Sequence, residues 1–210
     1  MLIEEARHDS VKPLPICNTL EQYLYEPDGF PCLLGFDVRN NTSEILMAYA
    51  GQTVDQWQQQ LVRWEDRLCF ASTMICQMVK TLEKLHSLGF THCDIKGDNI
   101  CAVLDPYGQL QFTLIDFGVS TGFRSSKKIK QRKSFKGNFL FASFDHISFG
   151  RADKIDDLIS LVYLAFYFVH GSLPWEEMEE VKNDPRFVNS VEFARMRWVK
   201  RKDFMQEIVN

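Results

Sequence analysis

Between positions 92 and 99 the chain reads HCDIKGDN, and a further aspartate follows at position 116 within LIDFG. His92, Asp94, Lys96, Asn99 and Asp116 therefore gather two kinds of chemical group. A carboxylate is an ordinary group for handling a hydroxyl proton. Carboxylate and amide oxygens are the hard ligands that suit a small divalent cation. Any one of these aspartates, taken alone, reads more simply as a turn or cap residue. To act as a set they need elements that bring position 99 beside position 116.

The flanking sequence supplies such elements. From Asp66 to His86 the apolar residues Leu68, Ala71, Ile75, Met78, Leu82 and Leu85 recur at steps of three and four, which predicts one stripe along a helix. Gly89 offers the left-handed stop, and the chain then enters HCDIKGDN. Next, ICAVLD and LQFTLID flank a PYG turn, a pattern for a short hairpin with Asn99 at one end and Asp116 at the other. Upstream, FPCLLGFDV and SEILMAYAG read as strands joined by the polar RNNTS. Before them, NTLEQYLYEPDG offers an Asn18 or Thr19 cap, a short amphipathic stretch and a Pro-Asp-Gly stop. The run Leu158 to Val169 is too short to span a bilayer and reads as a helix buried on nearly all sides.

Composition narrows the classes. With 210 residues and 45% hydrophobic content, the chain can build one substantial domain or two small lobes. A net charge of −4 argues against general nucleic-acid binding, and nothing points to a membrane partner. Cys17, Cys32, Cys69, Cys76, Cys93 and Cys101 form no C-x-x-C pair and no zinc-like spacing, so they read as reduced thiols of a cytoplasmic or nuclear protein. MLIEEARHDS does not look like a secretory signal, and no internal repeat is present. Residues 124–136 hold seven Lys or Arg and no acid. On composition that stretch is a solvated loop, and its KKIKQRK core matches a short nuclear-import pattern that also arises by chance.

The pairing of H-x-D-x-x-x-x-N with D-F-G resembles the signature of the eukaryotic protein kinases. The resemblance implies an α+β, protein-kinase-like fold. Residues 1–50 would form a partial small lobe with its helix, two strands and the hinge. Residues 51–210 would form the helical large lobe with the catalytic loop, the activation segment and a central buried helix. It also implies ATP and Mg²⁺ as cofactors and a protein substrate. In that reading Asp94 accepts or orients the acceptor hydroxyl proton, Lys96 contacts the transferring phosphate, and Asn99 and Asp116 hold Mg²⁺. His92 and Asp157 support the loop.

A second block resembles the casein kinase 1 group and its vaccinia-related relatives. It contains the pair Ala142 and Ser143, then DDLISL with Asp157, then GSLPW from Gly171 to Trp175. Upstream, the resemblance makes Glu21 the ion-pairing residue of the small-lobe helix and Met47 the gatekeeper. It sets the backbone of Ala48 and Ala50 against adenine, with Cys101 on the floor of that pocket. Each of these five positions also has an ordinary reading as a strand or helix residue. The basic stretch falls in the activation loop, where Lys127, Lys128, Lys130, Arg132 and Lys133 would favour acidic or phosphorylated substrates. Ser125, Ser126 and Ser134 are candidate autophosphorylation sites there.

Several features depart from the pattern. No G-x-G-x-x-G occurs, and no V-A-I-K strand precedes Glu21. Lys12 is followed by Pro13 and Pro15, which do not suit a central strand, so Glu21 is left without its lysine. The expectation is a kinase domain reduced in its small lobe and at its C-terminal end, either naturally or through an incomplete sequence. Cys93 replaces the arginine that reads activation-loop phosphorylation, and Asn138 stands where a threonine is usual. The leading function is therefore a Ser/Thr protein kinase of casein kinase 1 type. A pseudokinase-like binding module is the alternative, and a small-molecule kinase of the aminoglycoside or choline type is more distant.

Overall fold

The structure is a computed structural model that describes residues 28–39, 42–122, 135–149, 153–176, 199–201, 203, 204 and 206. Glu21, Lys12, the cap at Asn18 or Thr19, Ser125, Ser126, Ser134 and the basic residues Lys127, Lys128, Lys130, Arg132 and Lys133 lie outside the described residues. In chain order the elements are β1 (Leu33–Arg39), β2 (Thr42–Met47), β3 (Gln52–Thr53), α1 (Val54–Gln60) and α2 (Trp64–Ser87). There follow β4 (Phe90–Thr91), a 3₁₀ turn (Gly97–Asn99), β5 (Ile100–Leu104), β6 (Leu110–Leu114) and β7 (Thr121–Gly122). Last come α3 (Phe144–Phe149) and α4 (Lys154–His170).

β1 and β2 form an antiparallel hairpin in which Phe36 faces Ile45 and Asp37 faces Glu44. Strand alternation places Phe36, Val38 and Ile45 on one face, and all three are exposed. The Ala48 N–H donates to the Cys32 carbonyl at 2.9 Å, which extends the pairing past Met47. The Leu114 N–H donates to Gly29 O at 2.8 Å and ties the start of this unit to β6.

The larger part is built on α2 and α4. The predicted helix is present and its register needs one correction. Leu68 is 42% exposed, whereas Phe70, Ala71, Met74, Met78, Leu82 and Leu85 are buried and Ile75 is partly buried. The apolar stripe is turned toward Phe70 and Met74 because the first turn of α2 lies at the rim of the core. Phe70 stacks on Phe168 of α4 at 4.7 Å between centroids and meets Phe112 of β6 edge-on at 5.0 Å. Each such buried side chain contributes about 1.5–3 kcal/mol. Gly89 takes φ +94 just beyond the end of α2, the left-handed stop that its position predicts.

α4 is a buried central helix. Leu161, Leu164, Ala165, Phe168 and Val169 are in the core, together with the polar Asp156, Asp157 and Ser160. Asp153 and Asp156 form a reciprocal capping box at its start, and Gly171 ends it at φ +83. β5 and β6 form the expected hairpin, with Ile100 opposite Leu114. β3 adds to the other side of β5, and β4 pairs with β7.

The outer edge of β6 is closed by a side chain. Gln77 of α2 donates from Nε2 to Leu110 O at 2.7 Å and accepts from Phe112 N at 2.9 Å. One amide thus takes the place of a neighbouring strand's peptide.

Candidate active site

The loop from His92 to Asn99 sits where the end of α2, the β5–β6 hairpin and the start of α4 converge. Asp157 of α4, 1% exposed, accepts from the backbone N–H of His92 at 2.8 Å and of Cys93 at 2.9 Å. His86 Nε2, on the last turn of α2, donates to the same carboxylate at 2.9 Å. The carboxylate compensates for its own burial by accepting all three bonds. Cys93 takes φ +71, a left-handed conformation that a non-glycine residue holds only when its surroundings fix it.

His92 carries the arrangement across to the second motif. Its Nε2–H donates to Ile115 O at 3.0 Å, while Nδ1 accepts the Asp94 N–H at 3.3 Å. One ring nitrogen donates and the other accepts, which is the neutral tautomer. Burial holds the imidazole below its usual range, offset in part by the Ile115 carbonyl and the aspartates around it. Its ring also meets Phe117 edge-on at 5.1 Å.

Asp94 is the centre of the polar cluster. Its Oδ2 accepts from Asn99 Nδ2 at 3.0 Å and lies 3.0 Å from Lys96 Nζ. Asn99 Nδ2 also donates to the Asp94 carbonyl at 2.9 Å. The other carboxylate oxygen, Oδ1, is buried and has no hydrogen-bond partner. Such an atom costs free energy until a donor reaches it. The preceding contacts orient Asp94 so that one oxygen is spent on the loop and the other is left without a partner.

Asn99 and Asp116 are brought together by the hairpin register. The Ile115 N–H donates to Asn99 O at 2.9 Å, so Asp116 begins one residue beyond the last pair. Asp116 takes φ +61, and its Oδ1 accepts the Gly118 N–H at 3.1 Å. Asn99 commits Nδ2 to Asp94, which leaves its amide oxygen as the atom suited to a cation. Among the described residues no group of three His, Cys, Asp or Glu side chains converges as a metal centre. The two remaining hard oxygens fit a cation that completes its shell with water and phosphate, as Mg²⁺ does.

The segment following position 134 closes over the loop. Gly137 takes φ +136, and a Cβ there would lie 2.5 Å from Cys93 O. Asn138 turns its Oδ1 into its own turn, accepting from Leu140 N at 2.8 Å and Phe141 N at 3.3 Å. Trp175 Nε1 donates to Leu140 O at 2.7 Å, and Arg201 lies over the Trp175 ring and donates to Phe139 O. Ala142 and Ser143 are buried, and the Ser143 hydroxyl bonds Asp156 of α4.

Two contributors were not evident from residue type. Asp55, in the first turn of α1, seats its carboxylate against Gly97, whose Cβ position would lie 1.7 Å from Asp55 Oδ1. Burial, then the charge of Asp98 and a hydrogen bond with it, push the Asp55 carboxyl up to about 6, with Lys96 pulling the other way. His86 is the second. A polar residue four positions after Leu82, on the buried side of α2, was its one sequence signal.

Met47, at the end of β2, is 44% exposed. Ala48 and Ala50 follow it, and the chain then crosses β5 at Gly51, whose Cβ position would meet Ala102 O. Thr53 pairs with Cys101, a buried residue whose thiol burial pushes up. That register sets Cys101 opposite Thr53 and Ala102 opposite Gln52.

A model of the protein kinase domain matches residues 36–209. The chain belongs to the protein kinase domain family. The match starts within β1 and covers β2, the 92–99 loop, the Asp116 motif and α4 of this kinase domain. Among solved structures, the kinase domain is similar to the structure of vaccinia related kinase 3, with a TM-score of 0.59 and 22% sequence identity. That similarity covers 79% of this chain and 56% of the other, so the chain spans a little over half the length of that relative. At this identity the likeness concerns the fold, and the fold is the α+β kinase-like one.

Proposed function

We propose that this kinase domain transfers the terminal phosphoryl of ATP to Ser or Thr hydroxyls of protein substrates, in the manner of the casein kinase 1 and vaccinia-related group. The observation that carries the reading is the division of labour within Asp94. Its Oδ2 is held by Lys96 and Asn99, and its buried Oδ1 awaits a donor. A substrate hydroxyl is a donor of the right kind, and Oδ1 would orient it and take up its proton as the new O–P bond forms.

Phosphoryl transfer needs positioning and charge neutralisation more than covalent help. Lys96 lies beside Asp94 with its ammonium partly exposed, where it would meet the negative charge of the transferring group. Asn99 and Asp116 would hold Mg²⁺. When bound, that cation would supply positive charge to offset that of the phosphates. Neutral His92 keeps the two motifs in register without adding a charge. Ala48, Ala50, Met47 and Cys101 would line the adenine side, with Glu21 in the small-lobe helix. Lys127, Lys128, Lys130, Arg132 and Lys133 would select acidic or phosphorylated substrates, in cytoplasm or nucleus.

The test is transfer of labelled phosphate from ATP with Mg²⁺ to a casein-like acidic protein, comparing the wild-type chain with Asp94→Ala. Incorporation into Ser or Thr that falls by several powers of ten in the variant supports the reading. Equal signals sink it. A second reading, a pseudokinase-like binding module, draws on the absence of G-x-G-x-x-G from these 210 residues. It predicts thermal stabilisation by nucleotide or by a protein partner with no transfer above the Asp94→Ala background.

A further inference from the structure

Residues 68–79, LCFASTMICQMV, carry no charge over three turns of α2, yet Leu68, Cys69, Ser72, Cys76 and Val79 are exposed. A helix face that meets water ordinarily carries charged residues. Polarity is reduced further because Ser72 donates its hydroxyl to Leu68 O at 2.7 Å and Thr73 donates to Cys69 O at 2.9 Å. Val62, just before α2, and Trp64, in its first turn, are 86% and 55% exposed and add apolar surface at that end.

Charges return at the two ends of this face. Glu65, Cys69, Ser72, Cys76 and Lys80 follow steps of four, three, four and four, so they run along one side of the helix. All five are exposed. The line spans about 22 Å, with Glu65 at its start, 3.6 Å from Arg63 Nε of its own chain, and Lys80 at its end.

We infer that this side of α2 is a homodimer seam, in which a second copy packs antiparallel about a two-fold axis between Ser72 and Thr73. That axis sets Glu65 against the partner's Lys80 at both ends. It also sets Cys69 against the partner's Cys76, twice by symmetry. A parallel pair would instead face Glu65 with the partner's Glu65 and Lys80 with the partner's Lys80, which is repulsive at both ends. The small Cys69, Ser72 and Cys76 side chains at the middle permit close approach of the helices. The seam lies on α2 away from the 92–99 loop, so it is independent of the catalytic reading.

The experiment uses the full chain. Sedimentation equilibrium is expected to give a dimer. Diamide, which takes two protons and two electrons from each thiol pair and is reduced to its hydrazine, is expected to yield a covalent dimer. Peptide mass spectrometry should find the bond between Cys69 and the partner's Cys76. Glu65→Lys alone, or Lys80→Glu alone, should weaken association by about tenfold, and the double swap should restore it. Circular dichroism confirms that each variant is folded. A wild-type monomer at all concentrations overturns the inference. So does a dimer that is indifferent to both swaps and lacks the Cys69 cross-link.

Discussion

Asp157 holds Cys93 in a left-handed turn: its Oδ1 accepts the Cys93 N–H at 2.9 Å while that residue sits at φ +71. The strained residue lies immediately before Asp94, so the direction of the Asp94 side chain depends on a carboxylate from a helix more than sixty residues later. Asp157→Ala removes the acceptor for three donors, two backbone and one from His86. The expected cost is about 3–5 kcal/mol of stability, read by urea unfolding. A loss below about 1 kcal/mol, with transfer activity retained, would show that the loop holds its shape without this anchor.

Asp55 gives a pH signature. Its carboxyl is raised from an ordinary 3.8 to about 6, chiefly by burial and then by Asp98. The folded state therefore binds this proton more tightly than the unfolded state. The resulting stabilisation is complete below about pH 3.8 and is lost as pH rises through about 6. Relative to Asp55→Asn, the wild-type chain should lose stability across that window. Unfolding curves at several pH values check it, and a difference that stays flat, or grows in the wild type's favour, contradicts the assignment.

Gly97 predicts a steric effect that can be rescued. Gly97→Ala drives its methyl into the Asp55 carboxylate and should destabilise the chain by about 1–3 kcal/mol. Combining it with Asp55→Ala should recover most of that loss, because the colliding atoms are gone. Additive losses in the double variant would place the strain elsewhere.

Gln77→Leu should cost about 1–3 kcal/mol despite being nearly isosteric, since it strands Phe112 N and Leu110 O at the β6 edge. Hydrogen exchange at the Phe112 amide is the direct readout. Protection should fall there first, and unchanged protection would mean that another group caps the edge.

Much of the candidate site is legible in the sequence. Asp94, Lys96 and Asn99, the proposed acid, lysine and first cation ligand, fall within one short loop and follow a local spacing, and Asp116 comes beside Asn99 through the short β5–β6 hairpin. The α2 helix, the β5–β6 hairpin and α4 were equally legible, because amphipathic periodicity and turn chemistry act over short distances. Leu68 was misplaced for a physical reason. Periodicity specifies that a stripe exists, whereas its rotation depends on what the helix packs against, here Phe112 and Phe168.

The remaining relationships connect residues far apart in the chain, and no local pattern records them. His86 and Asp157 meet because α2 packs on α4. Asp55 seats on Gly97 because β3 pairs with β5 and swings the first turn of α1 onto the loop. The buried, unpartnered oxygen of Asp94 likewise results from several elements closing around it. Residue types supplied the reactive groups. Their orientation came from long-range packing, which depends on shape and burial in three dimensions.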